Sequence, residues 1–235
     1  MAVGYVRLPE LSRKWGRDRF LNMVEKLLIA VLLALPISVT MSEEIQLQFD
    51  WAFVKSAPDG SVRAVDFSGK AAISPGDLFK ISVRPVKNAF IYLFLHDAEG
   101  NLKLLFPDRL SDFDSSTYLN TQTFIPAGEN WFTLDSVSGT ERFYLLASSK
   151  RLSRMESLIL AYQKAAQGKG SDGGALQAVL DEISRLRTAH SQLTTAAEKP
   201  VTIAGAMRGG NGAVAMRGTR IEASDFYIRT FRLQH

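Results

Sequence analysis

Residues 89–95 (AFIYLFL) constrain the fold of this chain most, because they are apolar at every position. A strand with one face in solvent alternates apolar and polar residues. An unbroken apolar run of this length is typical of a central strand that is covered on both faces. The segment therefore predicts a buried strand with a layer packed against each side.

Other segments around this run show the alternation of strands with one exposed face. Residues 45–53 place their large apolar side chains on one side, which indicates a half-buried strand, and residues 79–84 repeat the pattern. The sequences PDG at 58–60 and DAEGN at 97–101 are turn signals. Short strands at this spacing predict an antiparallel β-sandwich or barrel-like domain over residues 43–150.

The hydrophobic period changes from strand to helix near residue 150. Leu152, Met155 and Ile159 fall on one helical face, and a second amphipathic pattern follows the glycine-rich residues 168–174. We therefore expect a helical hairpin over 151–199, inserted into or appended to the β domain. Residues 200–235 are predicted to form a glycine-rich loop and a C-terminal strand that returns to the β domain, beside its first strand.

Residues 1–42 contain the three parts of a bacterial export signal, namely a basic region, an apolar run at 27–35 and small residues up to Ser42. The apolar run is shorter than the roughly 20 residues that cross a bilayer. Translation from Met23 would give a compact signal peptide, so we expect either that Met23 is the true start or that a leader starting at Met1 has an extended basic region. The leader predicts a periplasmic or secreted protein. The alternative is an uncleaved amino-terminal anchor, which would then be the part that contacts the membrane.

Charge and cysteine content exclude several classes of function. Residues 1–42 hold six basic and three acidic residues, so most of the net charge of +4 belongs to the leader. The remainder is nearly neutral and has no basic stripe, which argues against nucleic-acid binding. The chain has no cysteine, which removes disulfides, thiolate catalysis, cysteine zinc sites and a lipidated cysteine.

A glycine pattern near the carboxyl end resembles a dinucleotide fingerprint but lacks its context. Gly210, Gly212 and Ala215 have the spacing G-x-G-x-x-A. In a dinucleotide-binding unit these residues open a helix that is followed by another strand. Only 20 residues follow Ala215, and they have the pattern of a strand. We therefore predict no nucleotide cofactor.

Metal-binding and catalytic patterns are also incomplete. The three histidines are widely separated and do not form a pair with ligand spacing. Asp108, Asp112 and Asp114 lie in one loop, but Thr123 occupies the position of the glutamate that an EF-hand calcium loop requires. We predict no metal, no cofactor and no catalytic residue, and hence a protein that is not an enzyme.

Several short strings between residues 76 and 150 share their order and spacing with a known family. They are GD at 76–77, AFIYLF at 89–94, DAEG at 97–100, LLFP at 104–107, IP at 125–126 and GTERFYLLA at 139–147. This arrangement resembles the bacterial domain of unknown function numbered 4384. The resemblance implies a small β domain that acts as an accessory or recognition module attached to other envelope proteins or enzymes.

The preferred hypothesis is an exported, non-enzymatic β domain that acts as an accessory, protein-interaction or envelope-recognition module. Its expected partner is another envelope or secreted protein, and the helical hairpin is the expected partner surface. One alternative is a small-ligand or carbohydrate-binding domain that uses exposed aromatics, and an uncharacterised enzyme ranks third. The candidate interaction residues are Tyr92, Phe106, Trp131 and Tyr162.

Overall fold

A computed structural model describes residues 44–57, 61–67, 73–134, 138–167, 173–191, 196–206 and 213–234 of the 235-residue chain. The predicted leader at 1–42, with Met23 and the cleavage region, lies outside these residues. So do most of the glycine-rich residues that separate the two predicted helices.

The described part of the chain forms eleven β-strands, two α-helices and one short 3-10 helix. The helices are α1 (Ser153–Gln167) and α2 (Gly173–His190), and the 3-10 helix spans Leu110–Asp114. None of these helices is long and apolar enough to cross a membrane. The strands are β1 (Leu47–Ser56), β2 (Val62–Ala64), β3 (Leu78–Lys87), β4 (Phe90–His96), β5 (Leu102–Phe106), β6 (Thr123–Ile125), β7 (Phe132–Thr133), β8 (Thr140–Ser148), β9 (Ala197–Ala206), β10 (Ala213–Ala223) and β11 (Phe226–Gln234).

The strands form two open antiparallel sheets. The first sheet has the order β6-β3-β1-β10-β9, with β2 paired to β1 and β7 paired to β3. The second sheet has the order β11-β8-β4-β5. Helices α1 and α2 follow each other directly in the chain, between β8 and β9, and pack as an antiparallel pair. The prediction of a mainly antiparallel β fold with a helical hairpin is therefore confirmed.

The buried strand predicted at 89–95 is β4, and both of its faces are covered. Ile91 and Leu93 point into the core between the two sheets. Tyr92 and Phe94 point the other way, into a second core beneath the helices. Because side chains alternate along a strand, one apolar strand serves both cores. The molecule consequently has three layers, with the second sheet in the middle.

Aromatic rings fill the core between the sheets. Phe53 of β1 contacts Phe79 of β3, Phe143 of β8 and Phe231 of β11, with ring centroids 4.8 to 6.4 Å apart. These contacts are edge-on, tilted or offset, the arrangements that aromatic pairs prefer. They join both sheets through a single residue of β1, so β1 is central to the sandwich as well as to its own sheet.

A buried carboxylate lies on the other face of β1. Asp50 is fully buried and pairs in register with Arg84 of β3 and Arg220 of β10. The Nε atoms of Arg84 and Arg220 lie 3.0 and 2.7 Å from the Asp50 carboxylate oxygens. Burial alone would raise the pKa of Asp50, but hydrogen bonds from Arg220 and Arg84 outweigh it and hold the pKa below its ordinary value of 3.8.

The half-buried strand predicted at 45–53 is buried on both faces in the structure, which corrects that expectation. Ala52 and Val54 point away from the sandwich core, yet they are buried against Ile203 and Met216. The long β9–β10 hairpin supplies these two residues. Its position depends on pairing with β1 from more than 140 residues away, which the local pattern of β1 does not encode.

The predicted glycine-rich loop is also corrected, because most of residues 197–223 form the β9–β10 hairpin. Gly218 lies in β10, where a Cβ atom would come within 2.2 Å of Ile203 Cδ1 and 3.1 Å of the Trp51 carbonyl oxygen. This glycine therefore permits a close approach inside a strand, a known use of glycine in sheets.

The C-terminal strand β11 lies in the second sheet, along β8, and does not lie beside β1. The neighbour of β1 is β10. The predicted helical hairpin ends at His190, and residues 197–199 already belong to β9.

Replacing Asp50 by asparagine is expected to lower the free energy of unfolding by about 2–3 kcal/mol at pH 7, because two arginines lose their shared counter-charge. A lowered pKa in the folded state means that the carboxylate stabilises the fold above its unfolded-state pKa and loses this effect as the pH falls through the folded-state pKa. The difference between wild type and Asp50→Asn should therefore shrink as the pH falls below the unfolded-state pKa and approach zero once the pH is below the folded-state pKa. Urea denaturation of the wild-type and Asp50→Asn proteins at a series of pH values measures this difference in the free energy of unfolding.

The matched control is Asp181→Asn on the exposed face of α2, where the side chain accepts a hydrogen bond from Gln177 one helical turn away and from no other described residue. It should change stability by less than about 0.5 kcal/mol. An Asp50→Asn protein as stable as the control at pH 7 would contradict the assigned role.

Candidate functional site

The helical pair uses its apolar face for packing on the second sheet. Met155 and Ile159 of α1, with Val179, Ile183 and Leu186 of α2, are buried against side chains of β4, β8 and β11. Glu182 joins the two helices, with carboxylate oxygens 3.0 Å from Arg154 and 2.6 Å from Arg185. The exposed side chains of the two helices are mostly polar, although Leu160 of α1 is a large apolar side chain that is 56 % exposed.

The four candidate interaction residues lie in different places. Tyr92 is fully buried under α1, and Phe106 is 8 % exposed in the core between the sheets. Trp131 is half-buried on the outer side of the first sheet, where the Lys80 ammonium lies 5.0 Å from its ring centroid. Tyr162 is half-buried on α1, beside β5. Tyr162 is the member of this set that borders an open cavity.

A polar network fixes the first turn of α1. The Tyr92 hydroxyl donates to Glu156 Oε1 at 2.6 Å and accepts from the Leu152 backbone N–H at 3.0 Å. Arg151 binds both Glu156 oxygens and both Asp114 oxygens, all within 3.2 Å. Arg151 also donates to the Leu110 carbonyl. The network ties α1 to β4 and to the 3-10 helix.

The pKa values in this network show that its charges are stabilised. Burial would raise the pKa of Glu156, but hydrogen bonds from Arg151 and Tyr92 outweigh burial and lower it below 4.5. Burial raises the pKa of Tyr92, and its hydrogen bond to Glu156 raises it further. Both groups therefore keep a single protonation state around neutral pH, as expected of structural groups rather than of a general acid or base.

A cavity of about 620 Å³ lies between the edge strand β5 and helix α1. Side chains of the strands on one side and of the helices on the other form its apolar wall. Polar side chains, mostly with amide or hydroxyl groups, form the rim of the opening. The apolar lining residues are Phe94, Leu102, Leu104, Ile159, Ala166 and Val179, and the polar ones are Asn101, Lys103, Tyr162, Gln163 and Gln167. We call this cavity with the adjoining edge of β5 the β5 groove.

The hydrogen-bond pattern of the β4–β5 hairpin determines which backbone groups of β5 face the groove opening. The Asp97 N–H bonds the Asn101 carbonyl at 3.0 Å, and Gly100, with φ +86°, completes the turn. In an antiparallel ladder, bonded and non-bonded pairs alternate. With His96 opposite Leu102 and Phe94 opposite Leu104, the backbone groups of Leu102 and Leu104 point away from β4.

One of these outward groups already has a partner from α1. The Leu102 N–H donates to the Tyr162 hydroxyl at 3.2 Å. Outside the β4–β5 ladder, the backbone of Leu104 forms no hydrogen bond with a described residue, and the alternation of the ladder directs its N–H and C=O to the same outer side. The β5 groove therefore combines an unpaired strand edge with an adjacent apolar cavity.

Among the described residues that line the groove there is no carboxylate, histidine or serine, and Lys103 is the one charged residue among them. Over the part of the chain that the structure describes, no three His, Asp or Glu side chains are grouped in a way that would hold a metal ion. In the acidic loop, Asp112 accepts from the Arg109 N–H at 2.9 Å and Asp114 binds Arg151. These aspartates serve local structure.

Sequence reasoning identified Tyr162 but missed the backbone of Leu104 and the side chains of Gln163 and Gln167. The hairpin turn at 97–101 is visible in the sequence and predicts the alternation of bonded pairs. Nothing local, however, indicates that β5 is an edge strand or that α1 lies beside it.

Replacing Tyr92 by phenylalanine is expected to lower the free energy of unfolding by about 1–2 kcal/mol, because the buried Leu152 N–H loses its acceptor and Glu156 loses a donor. Chemical denaturation of the two proteins measures the difference. Tyr144→Phe is the control, since the half-buried Tyr144 hydroxyl forms no hydrogen bond to any described residue. Equal stability of the two variants would contradict the role assigned to Tyr92.

Comparison with known proteins gives a family match for the central part of the chain. No curated protein and no solved structure matches the chain. The segment with a match begins just before β3 and ends just before α1, so it contains β4, β5 and the hairpin turn of the groove but neither helix. Residues 72–151 match the family model of the domain of unknown function DUF4384, which confirms the resemblance found at 76–150.

Proposed function

We propose that the protein is an exported, non-enzymatic accessory module that binds another envelope or secreted protein through the β5 groove. The observation that carries the proposal is the open cavity beside a strand edge with unpaired backbone groups, with an apolar wall and a polar rim of amide and hydroxyl groups and Lys103. Such a composition suits recognition of a polypeptide segment, which presents both backbone amides and apolar side chains. The leader pattern in residues 1–42 supports export.

The electrostatics of the described residues support a binding role over catalysis. The buried carboxyls Asp50 and Glu182 and the half-buried Glu156 are each paired with one or two arginines, and each has a lowered pKa. Catalytic carboxyls that exchange protons near neutral pH have raised values. The ion pairs also lie away from the groove lining, where a substrate would bind.

A small-molecule ligand is the second candidate, because the cavity volume lies within the range of known ligand pockets. The version of this idea that relies on exposed aromatics has less support. Every aromatic side chain among the described residues is buried or half-buried. A ligand would then contact the apolar wall and the amide rim.

We expect a photo-crosslinking amino acid at Gln163, on the groove rim, to capture one defined envelope protein in cells that produce the full chain. The same crosslinker at Gln177, an exposed glutamine of α2 outside the groove, should not capture it. Ala166→Trp, which fills the cavity, should abolish capture. Ala161→Trp, at an exposed alanine of the same helix that does not line the groove, should leave capture intact. Immunoblotting and mass spectrometry measure the adduct.

Equal capture from Gln163 and Gln177, or capture that survives Ala166→Trp, would count against the proposal. Absence of any adduct combined with a thermal shift by a metabolite or glycan, lost in Ala166→Trp but not in Ala161→Trp, would support the small-ligand candidate instead.

Export predicts a specific amino terminus. Mass spectrometry of the protein from the envelope or periplasmic fraction should find a chain that begins between residues 41 and 43, because small residues precede this point. A membrane-bound protein that retains residues 27–35 would indicate the uncleaved anchor. A full-length protein confined to the cytoplasm would contradict export.

A further inference from the structure

The outer edge of the second sheet is a template for another strand. In the sheet order β11-β8-β4-β5, strand β5 has no neighbour on its outer side among the described residues. The Leu104 N–H and C=O and the Leu102 C=O point to that side, as the alternation of the β4–β5 ladder requires. Unpaired edges of this kind accept extended segments, since main-chain hydrogen bonds supply affinity whatever the sequence.

We propose that an extended segment of the partner protein adds to β5 as a fifth strand of the second sheet, with one large apolar side chain in the cavity. The inference rests on the proposed function and specifies how the partner binds. A residue of the added strand that lies beside Leu104 projects to the same side of the sheet as the Leu104 side chain. That side is the helix-facing one, where the cavity between Leu104, Ile159 and Ala166 is open.

Lys103 identifies the kind of segment that fits. This lysine is exposed in the middle of β5 and opposite Leu95 in the ladder. Like charges that face each other across strands are destabilising, and opposite charges are favourable. Two copies of this chain paired antiparallel through β5 would bring their Lys103 ammonium groups together, so a second copy is disfavoured. A partner segment with an acidic residue beside Lys103, flanked by apolar residues, is favoured.

The test uses the full purified protein and a synthetic nine-residue peptide that alternates threonine with leucine, with phenylalanine at the centre and one glutamate next to it. We expect saturable binding and slower hydrogen exchange of the Leu104 amide. Leu104→Pro should weaken binding at least tenfold, because it removes the outward N–H while proline is tolerated on an edge strand. Leu104→Ala, which shortens the side chain but keeps the N–H, measures the loss that comes from the side chain alone, and Leu104→Pro should bind at least tenfold more weakly than Leu104→Ala.

Further variants and peptides distinguish the contribution of the β5 strand edge to binding from that of the cavity. Ala166→Trp should weaken the phenylalanine peptide at least tenfold, and Ala161→Trp should not. Lys103→Glu should reverse the preference between the glutamate peptide and the same peptide with lysine. A peptide with identical side chains but N-methylated backbone amides should lose binding, which keeps the test decisive even if the Leu104→Pro protein does not fold.

Binding of the N-methylated peptide at the affinity of its parent, or unchanged exchange of the Leu104 amide, would overturn strand addition. A wild-type protein that dimerises, with dimers lost in Leu104→Pro, would overturn the choice of occupant. If the crosslinked partner is lost in Ala166→Trp but retained by folded Leu104→Pro, strand addition fails while the proposed function stands. If neither variant affects the partner, the proposed function fails at this site.

Discussion

The carboxylate of Asp50 is the interaction on which the first sheet depends. It is buried in the central strand and neutralised by arginines from the strands on either side. A buried charge is costly unless it is both paired and hydrogen-bonded, so the three strands are stable together in one register. A slip of β1 by a single residue would turn Asp50 into the aromatic core and Phe49 away from it.

The second sheet depends on the first in turn, because the side chains of β1 fill the space between them. Phe53 contacts rings from both sheets, and β4 transmits this packing to the helical layer through Tyr92 and Phe94. The Arg151 network then sets the start of α1, which positions Tyr162 and Ala166 opposite β5. The groove is thus a product of two cores and one polar network.

Much of this architecture follows from sequence periodicity, whereas the groove does not. The apolar run of β4 predicts its two covered faces, and the change of period near residue 150 predicts the helices. The burial of Ala52 and Val54 was not predictable, because the hairpin that covers them comes from residues distant in the chain. The strand identity of residues 213–223 was hidden by the glycine-rich sequence that precedes them and by Gly218, which serves close packing against Ile203. Tyrosine is a residue type common at binding surfaces, but Tyr92 is buried under α1, and this burial depends on the tertiary structure and not on the local sequence.

The position of Arg220 has a kinetic consequence for the chain. Asp50 and Arg220 are 170 residues apart, and β1 pairs with β10, near the carboxyl end. Contacts of such long range form slowly, because the entropy of closing a long loop is lost before the contacts can compensate for it. A chain that crosses a membrane amino end first, as proposed here, cannot complete its first sheet until nearly all of it has been translocated. The topology itself would therefore keep the polypeptide competent for passage and delay its final folding until it reaches its destination.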